Sequence, residues 1–104
     1  MVKILPTVLV FEWDEFNSSK SQKKHGIRAK ESEEIFISTT LFVISDIKHS
    51  QKEQRFIALG QTIREKHLLI IFTLRKEKIR IISARKMHEK EVKKYETIKK
   101  HTNI

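Results

Sequence analysis

Arginines interrupt the most apolar part of the chain. In the segment "IRIISARK", residues 79–86, Arg80 and Arg85 are set among isoleucines, and Arg75 closes the apolar run before it. Guanidinium groups are seldom buried without a partner. Because their paired N–H groups match the geometry of a phosphate, these cations indicate either a structural ion pair or a site that binds an anion.

A two-residue turn at Lys76-Glu77 would gather such cations on one face of a β-hairpin. In that register Arg75 lies opposite Lys78 and Thr73 lies opposite Arg80, and strand alternation puts all four on one face. The register predicts that this face continues through Leu69, Ile71, Ile82 and Ala84. It predicts an opposite face made of Ile70, Phe72, Leu74, Ile79, Ile81 and Ser83. Since like charges directly opposite each other in a sheet repel, we expect the turn end of the first face to bind an anion.

A second group of reactive side chains precedes the apolar segment "RFIALGQT". The connection "DIKHSQKEQR", residues 46–55, contains His49, Ser50, Glu53 and Arg55. His and Glu can exchange protons near neutral pH when their surroundings tune them, and an adjacent guanidinium stabilises developing negative charge. A histidine is also commonly a surface or packing residue, so a catalytic and a structural interpretation of this connection both stay open.

The composition argues against several other chemistries. The chain has no cysteine, its five histidines lack the HxH and HExxH spacings, and its two glycines are isolated. A cysteine-ligated zinc site, a histidine metal motif and a glycine-rich phosphate loop are therefore not predicted, and we expect no metal or cofactor.

The whole chain is basic, most strongly so near its C-terminus. Its 104 residues carry 22 Lys and Arg against 13 Asp and Glu, a formal charge of +9, and residues 75–100 hold eleven of these cations and four of the acids. The excess favours a polyanionic partner, namely a nucleic acid, an anionic membrane or an acidic protein, although a solubilising surface has the same composition. The length favours a single domain over residues 1–104.

The apolar runs do not predict a leader or a membrane segment. Pro6 divides the opening run "MVKILPTVLVF", and no small-residue cleavage site follows it. The run "LLIIFTL" is far too short to span a bilayer. With no cysteine as well, we expect a soluble protein of a reducing cytoplasm.

Hydrophobic periodicity predicts an antiparallel meander between helical regions. The strand candidates, joined by short polar connections, are Thr40–Ser45, Arg55–Thr62, His67–Arg75 and Lys78–Arg85. An earlier strand is predicted over Val8–Trp13. A helix that begins at Asp14 or Asn17 and ends at Gly26 follows it, and a second helix covers Ala29–Phe36.

From Lys86 onward the apolar period becomes helical. The apolar positions on one arc are Met87, Val92, Tyr95 and Ile98. Glu91 lies within this arc and needs a partner, for which the candidates on the adjoining strand are Arg80 and Arg85. A structural ion pair and a catalytic role both stay open for this carboxylate.

Three segments, taken in order, resemble the BrnT family of bacterial toxins. They are "FEWDEFNSSKSQKKHGI", "HSQKEQRFIALG" and "TLRKEKIRIISARKMHEKEVKKYE", and they extend from Phe11 to about Glu96. The resemblance implies a RelE-like α+β fold. Such a fold has an antiparallel sheet of about four strands, here with an N-terminal strand added, two N-terminal helices and a C-terminal helix. Residues 1–10 extend beyond the usual start of the family.

The resemblance also implies what the chain does. Members are toxins of type II toxin–antitoxin systems that cleave RNA, halt translation and are neutralised by the antitoxin BrnA. In related pairs the antitoxin binds operator DNA, often through a ribbon-helix-helix element, and we expect a heterotetramer of toxin and antitoxin. The basic composition supports two alternatives as well, a non-catalytic nucleic-acid-binding protein and a module that only binds an antitoxin.

The resemblance and the hairpin register together define the candidate site residues. Positions that match the family pattern are Lys24, His25, His49, Ser50, Glu53, Arg55, Thr73, Arg75, Arg80, Ser83, Arg85, Glu91 and Tyr95. Residues assigned to metal-independent RNA cleavage are His49, Glu53, Arg55, Arg75 and Arg80. Residues assigned to RNA binding are Lys24, His25, Thr73, Lys78, Ser83, Arg85 and Lys86. The chain departs from the family at Ser38-Thr39, where an Asp-Pro pair is usual, and at Lys76-Glu77, where the usual pair favours a turn more strongly.

Overall fold

A meander of four antiparallel strands forms the centre of the molecule. The structure is a computed structural model and describes residues 5–6, 8–14, 17, 23–49 and 52–102. The strands, adjacent in the sheet in chain order, are β1 (Phe42–Ser45), β2 (Arg55–Gln61), β3 (His67–Arg75) and β4 (Lys78–Lys86). Flanking elements are the helices α1 (Ala29–Phe36) and α2 (Glu89–Thr102) and a 3₁₀ helix over Ile47–His49. The predicted α+β class is confirmed. No helix in these described ranges has the length and apolarity to cross a membrane.

Helix α1 packs on the face of the sheet that carries the larger core. Its N-terminus is capped locally, because the Glu31 carboxylate accepts a hydrogen bond of 3.0 Å from the backbone N–H of Arg28. Ile35 and Phe36 are buried on its inner side, and burial of each contributes about 1.5–3 kcal/mol. Gly60 in β2 permits the close approach, since a Cβ there would lie 3.0 Å from the Cβ of Ile35.

Helix α2 packs on half of the opposite face of the sheet. We call the whole of this face the α2 face. Leu69, Met87 and Tyr95 form its buried contact, in agreement with the predicted arc. Tyr95 is fully buried, and its hydroxyl donates to the Thr40 carbonyl at 2.8 Å. Ile98, on the same predicted arc, is 36% exposed and so lies at the margin of the contact. The half of the α2 face near the β3–β4 turn is left for polar side chains.

The N-terminal segment joins the sheet more weakly than its sequence predicts. In place of a strand over Val8–Trp13, the described residues form one parallel bridge, between Phe11 and Ile79 of β4. The Ile79 N–H donates to the Val10 carbonyl at 2.7 Å, and the Glu12 N–H donates to the Ile79 carbonyl at 2.8 Å. Val10 stays 43% exposed, so the strand propensity of this segment is not matched by burial against a partner.

Helical conformation follows at Asn17 and at Lys23–His25, and the residues between them lie outside the described part of the chain. Asp14 caps this region, because its Oδ1 accepts the Asn17 N–H at 3.0 Å and the Asn17 Oδ1 accepts the Asp14 N–H at 2.7 Å. Gly26 follows the helical turn with a φ of +71°, the left-handed conformation that commonly ends a helix. Of the two predicted caps, Asp14 is the one that accepts the capping hydrogen bond, and the predicted stop at Gly26 is confirmed.

The turn between β3 and β4 forms at Lys76-Glu77, as predicted. Its two central residues have φ angles of 50° and 65°, the left-handed conformation that a two-residue hairpin with matching twist requires. Residues other than glycine adopt this conformation at a cost of about 1 kcal/mol each. The resulting register pairs Arg75 with Lys78 and Thr73 with Arg80.

A β-bulge at Ile82 changes the pairing further from the turn. The register near the turn predicts Ile71 opposite Ile82, but Ile71 pairs with Ser83, so Ile82 is an extra residue of β4. Ser83 therefore shares the face of Ile71, and Ala84 lies in the opposite core, where it is fully buried. The predicted faces of Ser83 and Ala84 are wrong, because simple alternation makes no allowance for an inserted residue.

Candidate functional site

Polar side chains occupy the half of the α2 face nearest the β3–β4 turn. One cross-strand row runs from Arg55 in β2 through Thr73 in β3 to Arg80 in β4. The next row toward the turn pairs Arg75 with Lys78. Successive rows on one face of a sheet are about 7 Å apart along the strands. Arg75 and Arg80 thus lie close together on one face, as the predicted register requires.

The N-terminal segment brings two carboxylates to these arginines. Glu12 Oε1 lies 3.2 Å from one terminal nitrogen of Arg80 and 3.8 Å from a terminal nitrogen of Arg75. Asp14 Oδ2 lies 2.9 Å from the other terminal nitrogen of Arg80. From the connection before β2, Glu53 Oε2 approaches Arg75 Nε to 3.4 Å. We call these five residues the arginine–carboxylate cluster.

Local structure fixes the positions of the two N-terminal acids. The bridge to Ile79 holds the backbone of Glu12 against the edge of β4. Asn17 is 4% exposed, and its side-chain amide donates to the carbonyl of Glu12 at 3.0 Å and to the carbonyl of Ile81 at 3.1 Å. Asp14 exchanges its capping hydrogen bonds with the same asparagine. Glu12 and Asp14 are therefore presented to the arginines by a hydrogen-bonded framework.

The two arginines of the cluster differ in exposure and in pairing. The Arg80 side chain is 14% exposed, and each of its terminal nitrogens contacts a carboxylate. Its hydrogen bond to Asp14, followed by that to Glu12, raises the pKa of the Arg80 guanidinium. The Arg75 side chain is 49% exposed, and its carboxylate contacts are longer. Arg75 is thus the more accessible cation, and Arg80 is the more firmly held one.

Thr73 turns its hydroxyl away from solvent. It is 2% exposed, and its Oγ1 donates to the Gln54 carbonyl at 2.7 Å. This hydrogen bond ties β3 to the connection that carries Glu53. Arg55, half-buried, continues the same row into β2. Thr73 therefore supports the cluster from within the protein and does not present its hydroxyl to a ligand.

Arg85 is committed to α2. Its two terminal nitrogens donate to the two oxygens of Glu91 at 2.8 and 2.9 Å. The backbone N–H of His88 donates to the same carboxylate at 2.7 Å, which caps the start of the helix. The hydrogen bond from Arg85 is the main cause that lowers the pKa of Glu91 to about 2. Two interpretations were open for Glu91, a structural ion pair and a catalytic role. The structure shows the ion pair, and Arg85 is the partner of Glu91.

The remaining predicted positions lie outside the cluster contacts described above. The exposed ones are Lys24, His25, Lys78 and Lys86. Ser83 is half-buried beyond the bulge. His49 ends the 3₁₀ helix, but its side chain lies outside the described part of the chain, as does the whole of Ser50.

Glu12 and Asp14 were not among the predicted site residues. One signal for them exists in the sequence, because residues two apart in an extended chain share a face, and Glu12 and Asp14 are two apart where the predicted strand ends. Their partner is not evident from the pattern, since 68 positions separate Glu12 from Arg80. Only the pairing of the N-terminal segment with β4 brings them together.

Comparison with known families places these elements in context. The family described as "Ribonuclease toxin, BrnT, of type II toxin-antitoxin system" matches residues 13–91, which include the whole sheet, α1 and the Arg85–Glu91 pair. A search of curated proteins found no significant match. Because the family match covers well over half of the sequence, this chain belongs to the BrnT family of ribonuclease toxins of type II toxin–antitoxin systems.

Proposed function

We propose that the chain cleaves RNA without a metal ion, by attack of a ribose 2′-hydroxyl on the adjacent phosphorus, and that this cleavage inhibits translation. Family membership supports ribonuclease activity in general. The observation that carries the mechanism is the placement of Arg75 and Arg80 together at one end of a sheet face. Two guanidiniums there suit the additional negative charge of a phosphoryl group under attack.

The proposed roles follow the two kinds of group at the site. Arg75 and Arg80, supported by Arg55 in the same face, bind the scissile phosphate and its neighbour. Glu53, which contacts Arg75, and His49, at the end of the 3₁₀ helix, transfer protons. The chemistry needs a base, an acid and charge stabilisation, all of which side chains can supply.

The proposed RNA-binding set is smaller than the sequence predicts. It consists of Lys24, His25, Lys78, Ser83 and Lys86. We remove Arg85 because Glu91 holds both of its terminal nitrogens. We remove Thr73 because its hydroxyl is buried against the Gln54 carbonyl. Exposed lysines contribute to RNA affinity mainly by contacts with phosphates, which are independent of sequence.

An incoming phosphate must compete with the carboxylates of the cluster. Three carboxylates meet two guanidiniums there, so the arginines are not an open anion site. Glu12 and Asp14 have side chains 36% and 51% exposed, so solvent screens their attraction, although Arg80, their common partner, is only 14% exposed. Exchange of a carboxylate for a phosphate is therefore easier at Arg75, which is 49% exposed and has the longer contacts, than at Arg80.

Replacing Arg80 by alanine tests the proposal. We expect cleavage of a labelled RNA by the purified chain to fall about 10²–10³-fold, because a charge-stabilising donor is lost. Toxicity on expression should be lost as well. Arg64→Ala is the matched control, since it removes the same charge from an exposed position between β2 and β3. Circular dichroism and thermal unfolding establish that both variants fold, and undiminished cleavage by folded Arg80→Ala protein contradicts the proposal.

A type II toxin implies an antitoxin, and we propose a BrnA-type protein with a ribbon-helix-helix element for this one. The two proteins would form a cytoplasmic heterotetramer that binds operator DNA through the antitoxin. Support comes from the cluster itself, where Arg75 and Arg80 already bind carboxylates. Acidic antitoxin side chains could occupy the same cations and block RNA. Expression with and without the neighbouring antitoxin gene, with growth and RNA integrity measured together, tests this partnership.

Binding without catalysis is the second candidate function. The pairing of Arg75 and Arg80 with carboxylates favours it, because a surface that binds acids needs no chemistry to capture an acidic antitoxin. Incubation of the purified chain with RNA separates the two functions. A non-catalytic binder retards the RNA on a native gel and leaves its length unchanged on a denaturing gel.

A further inference from the structure

We propose that Glu12 accepts the proton of the attacking 2′-hydroxyl, an inference that rests on the RNA cleavage proposed above. Glu12 Oε1 contacts both guanidiniums, at 3.2 Å from Arg80 and 3.8 Å from Arg75. A phosphate bound by the two arginines would therefore lie beside this carboxylate. A general base must be within hydrogen-bond reach of the proton that it removes, and this position meets that requirement.

The other two carboxylates of the cluster are less well placed for this role. Both oxygens of Asp14 are engaged, since Oδ1 accepts the capping N–H of Asn17 and Oδ2 contacts Arg80. Glu53 approaches Arg75 through Nε, at 3.4 Å, on the flank of that guanidinium. The side-chain contacts of Glu12 with the described residues use Oε1, and its side chain is 36% exposed, so a ribose can reach it.

Glu12 also suits the movement of charge in the reaction. It loses its negative charge when it takes the proton, at the moment when the phosphoryl oxygens gain charge. The guanidiniums of Arg75 and Arg80 then have less attraction to Glu12 and more to the phosphoryl group. Because Glu12 and the phosphoryl group would contact the same two guanidiniums, the stabilising hydrogen bonds can shift from the carboxylate to the phosphoryl oxygens with little rearrangement of the site.

The step balances with Glu12 as the base and a second proton-transfer group, proposed above, as the acid. The 2′ oxygen bonds to phosphorus while its proton passes to Glu12. The bond between phosphorus and the 5′ oxygen breaks, and that oxygen takes a proton from the other proton-transfer group proposed above, which recovers one from solvent. The products are a 2′,3′-cyclic phosphate and a 5′-hydroxyl end, and Glu12 afterwards returns its proton to solvent.

The test compares carboxylate variants of the full chain in steady-state cleavage of a labelled oligoribonucleotide. We expect Glu12→Gln to lower kcat about 10²–10⁴-fold, the usual contribution of a general base. Its KM should be unchanged or lower, because a charge that repels phosphate has been removed. Glu12→Asp keeps the carboxylate and should recover part of kcat. Glu65→Gln, exposed between β2 and β3, is the charge-matched control.

The pH profile and Asp14→Asn separate a base from a positioning residue. If Glu12 is the base, the fall of kcat at acidic pH in the wild type is absent in Glu12→Gln, and Asp14→Asn acts mainly on KM. If Glu12→Gln keeps kcat within about threefold, or if both variants only raise KM, the assignment of Glu12 is wrong. RNA left intact by the wild-type chain would instead contradict the proposed function. Denaturant unfolding of each variant verifies that the fold is retained.

Discussion

Strand β4 carries two arginine–carboxylate groups on the same face of the sheet, and they are built differently. Toward α2, Arg85 makes two hydrogen bonds of 2.8 and 2.9 Å to Glu91, which is six residues away in the chain. Toward the turn, Arg80 contacts Glu12 and Asp14 at 3.2 and 2.9 Å, from a segment more than sixty residues earlier. The first group is a closed pair, and the second is part of a network with Arg75.

The difference shows that pairing of a guanidinium does not by itself indicate whether it is structural. Arg85 has one acid, both charges are about equally exposed, and the same acid caps the helix, so this ion pair serves the docking of α2. The cluster at the turn has more acids than arginines, and its second arginine is half exposed. The excess of partly exposed charges in the cluster fits the anion binding proposed above.

Among the changes that test this comparison between the Arg85–Glu91 pair and the cluster at the turn, Arg85→Ala should have the largest effect on stability. Loss of two charge-assisted hydrogen bonds, with Glu91 left half-buried, should lower the free energy of unfolding by about 2–3 kcal/mol. Cleavage per folded molecule should stay within about threefold of the wild type, in contrast to Arg80→Ala. Urea unfolding and RNA cleavage measured on one preparation check both parts. If the Arg85→Ala protein is stable but no longer cleaves RNA, Arg85 belongs to the RNA-binding site, and the distinction between a structural Arg85 and a functional Arg80 is wrong.

A somewhat smaller effect is expected in the pH dependence of stability. Pairing with Arg85 lowers the pKa of Glu91 from 4.5 to about 2. A carboxyl with a lowered pKa in the folded state stabilises the fold above its unfolded pKa, and this contribution disappears as the pH falls from about 4.5 toward 2. With allowance for solvent at this partly exposed pair, the contribution is about 2 kcal/mol. Unfolding of the wild type and of Glu91→Gln at several pH values should give curves that converge at low pH; a constant difference would contradict the linkage.

The smallest expected effect concerns the turn that joins the two halves of the hairpin. Lys76 and Glu77 both have positive φ angles, which Asn and Gly adopt more easily. The double change Lys76→Asn and Glu77→Gly should therefore raise the free energy of unfolding by about 1–2 kcal/mol. Because Arg75 keeps its register, cleavage should not change. A variant that is more stable yet inactive would show that the turn residues themselves take part at the site.

Much of the fold follows from local patterns. The predicted bounds of α1 and β3 agree with the structure, because amphipathic period and β-branched composition are properties of short segments. The hairpin register near the turn is also correct, since nothing else could connect two such apolar runs. The N-terminal strand is reduced to one bridge, because its extent depends on an edge of β4 that no local pattern describes.

The candidate site could be predicted only in part. Alternation correctly placed Arg75 and Arg80 on one face, and the need of Glu91 for a partner correctly pointed to the adjoining strand. The contacts of Glu12 and Asp14 depend on residues remote in the chain, so no spacing rule reveals them. The inward turn of the Thr73 hydroxyl depends on a backbone carbonyl, which has no sequence signature at all.

The bulge at Ile82 has a consequence for how this hairpin tolerates changes in length. Arg80 and Arg85 are an odd number of positions apart, so an uninterrupted strand would direct their side chains to opposite sides of the sheet. Deleting Ile82 would leave the two arginines an even number of positions apart, so a regular strand would still direct both guanidiniums to the α2 face and Ala84 into the core. A one-residue deletion at the bulge should therefore be tolerated by this strand, because it removes the irregularity and keeps the other side chains of β4 on their present faces.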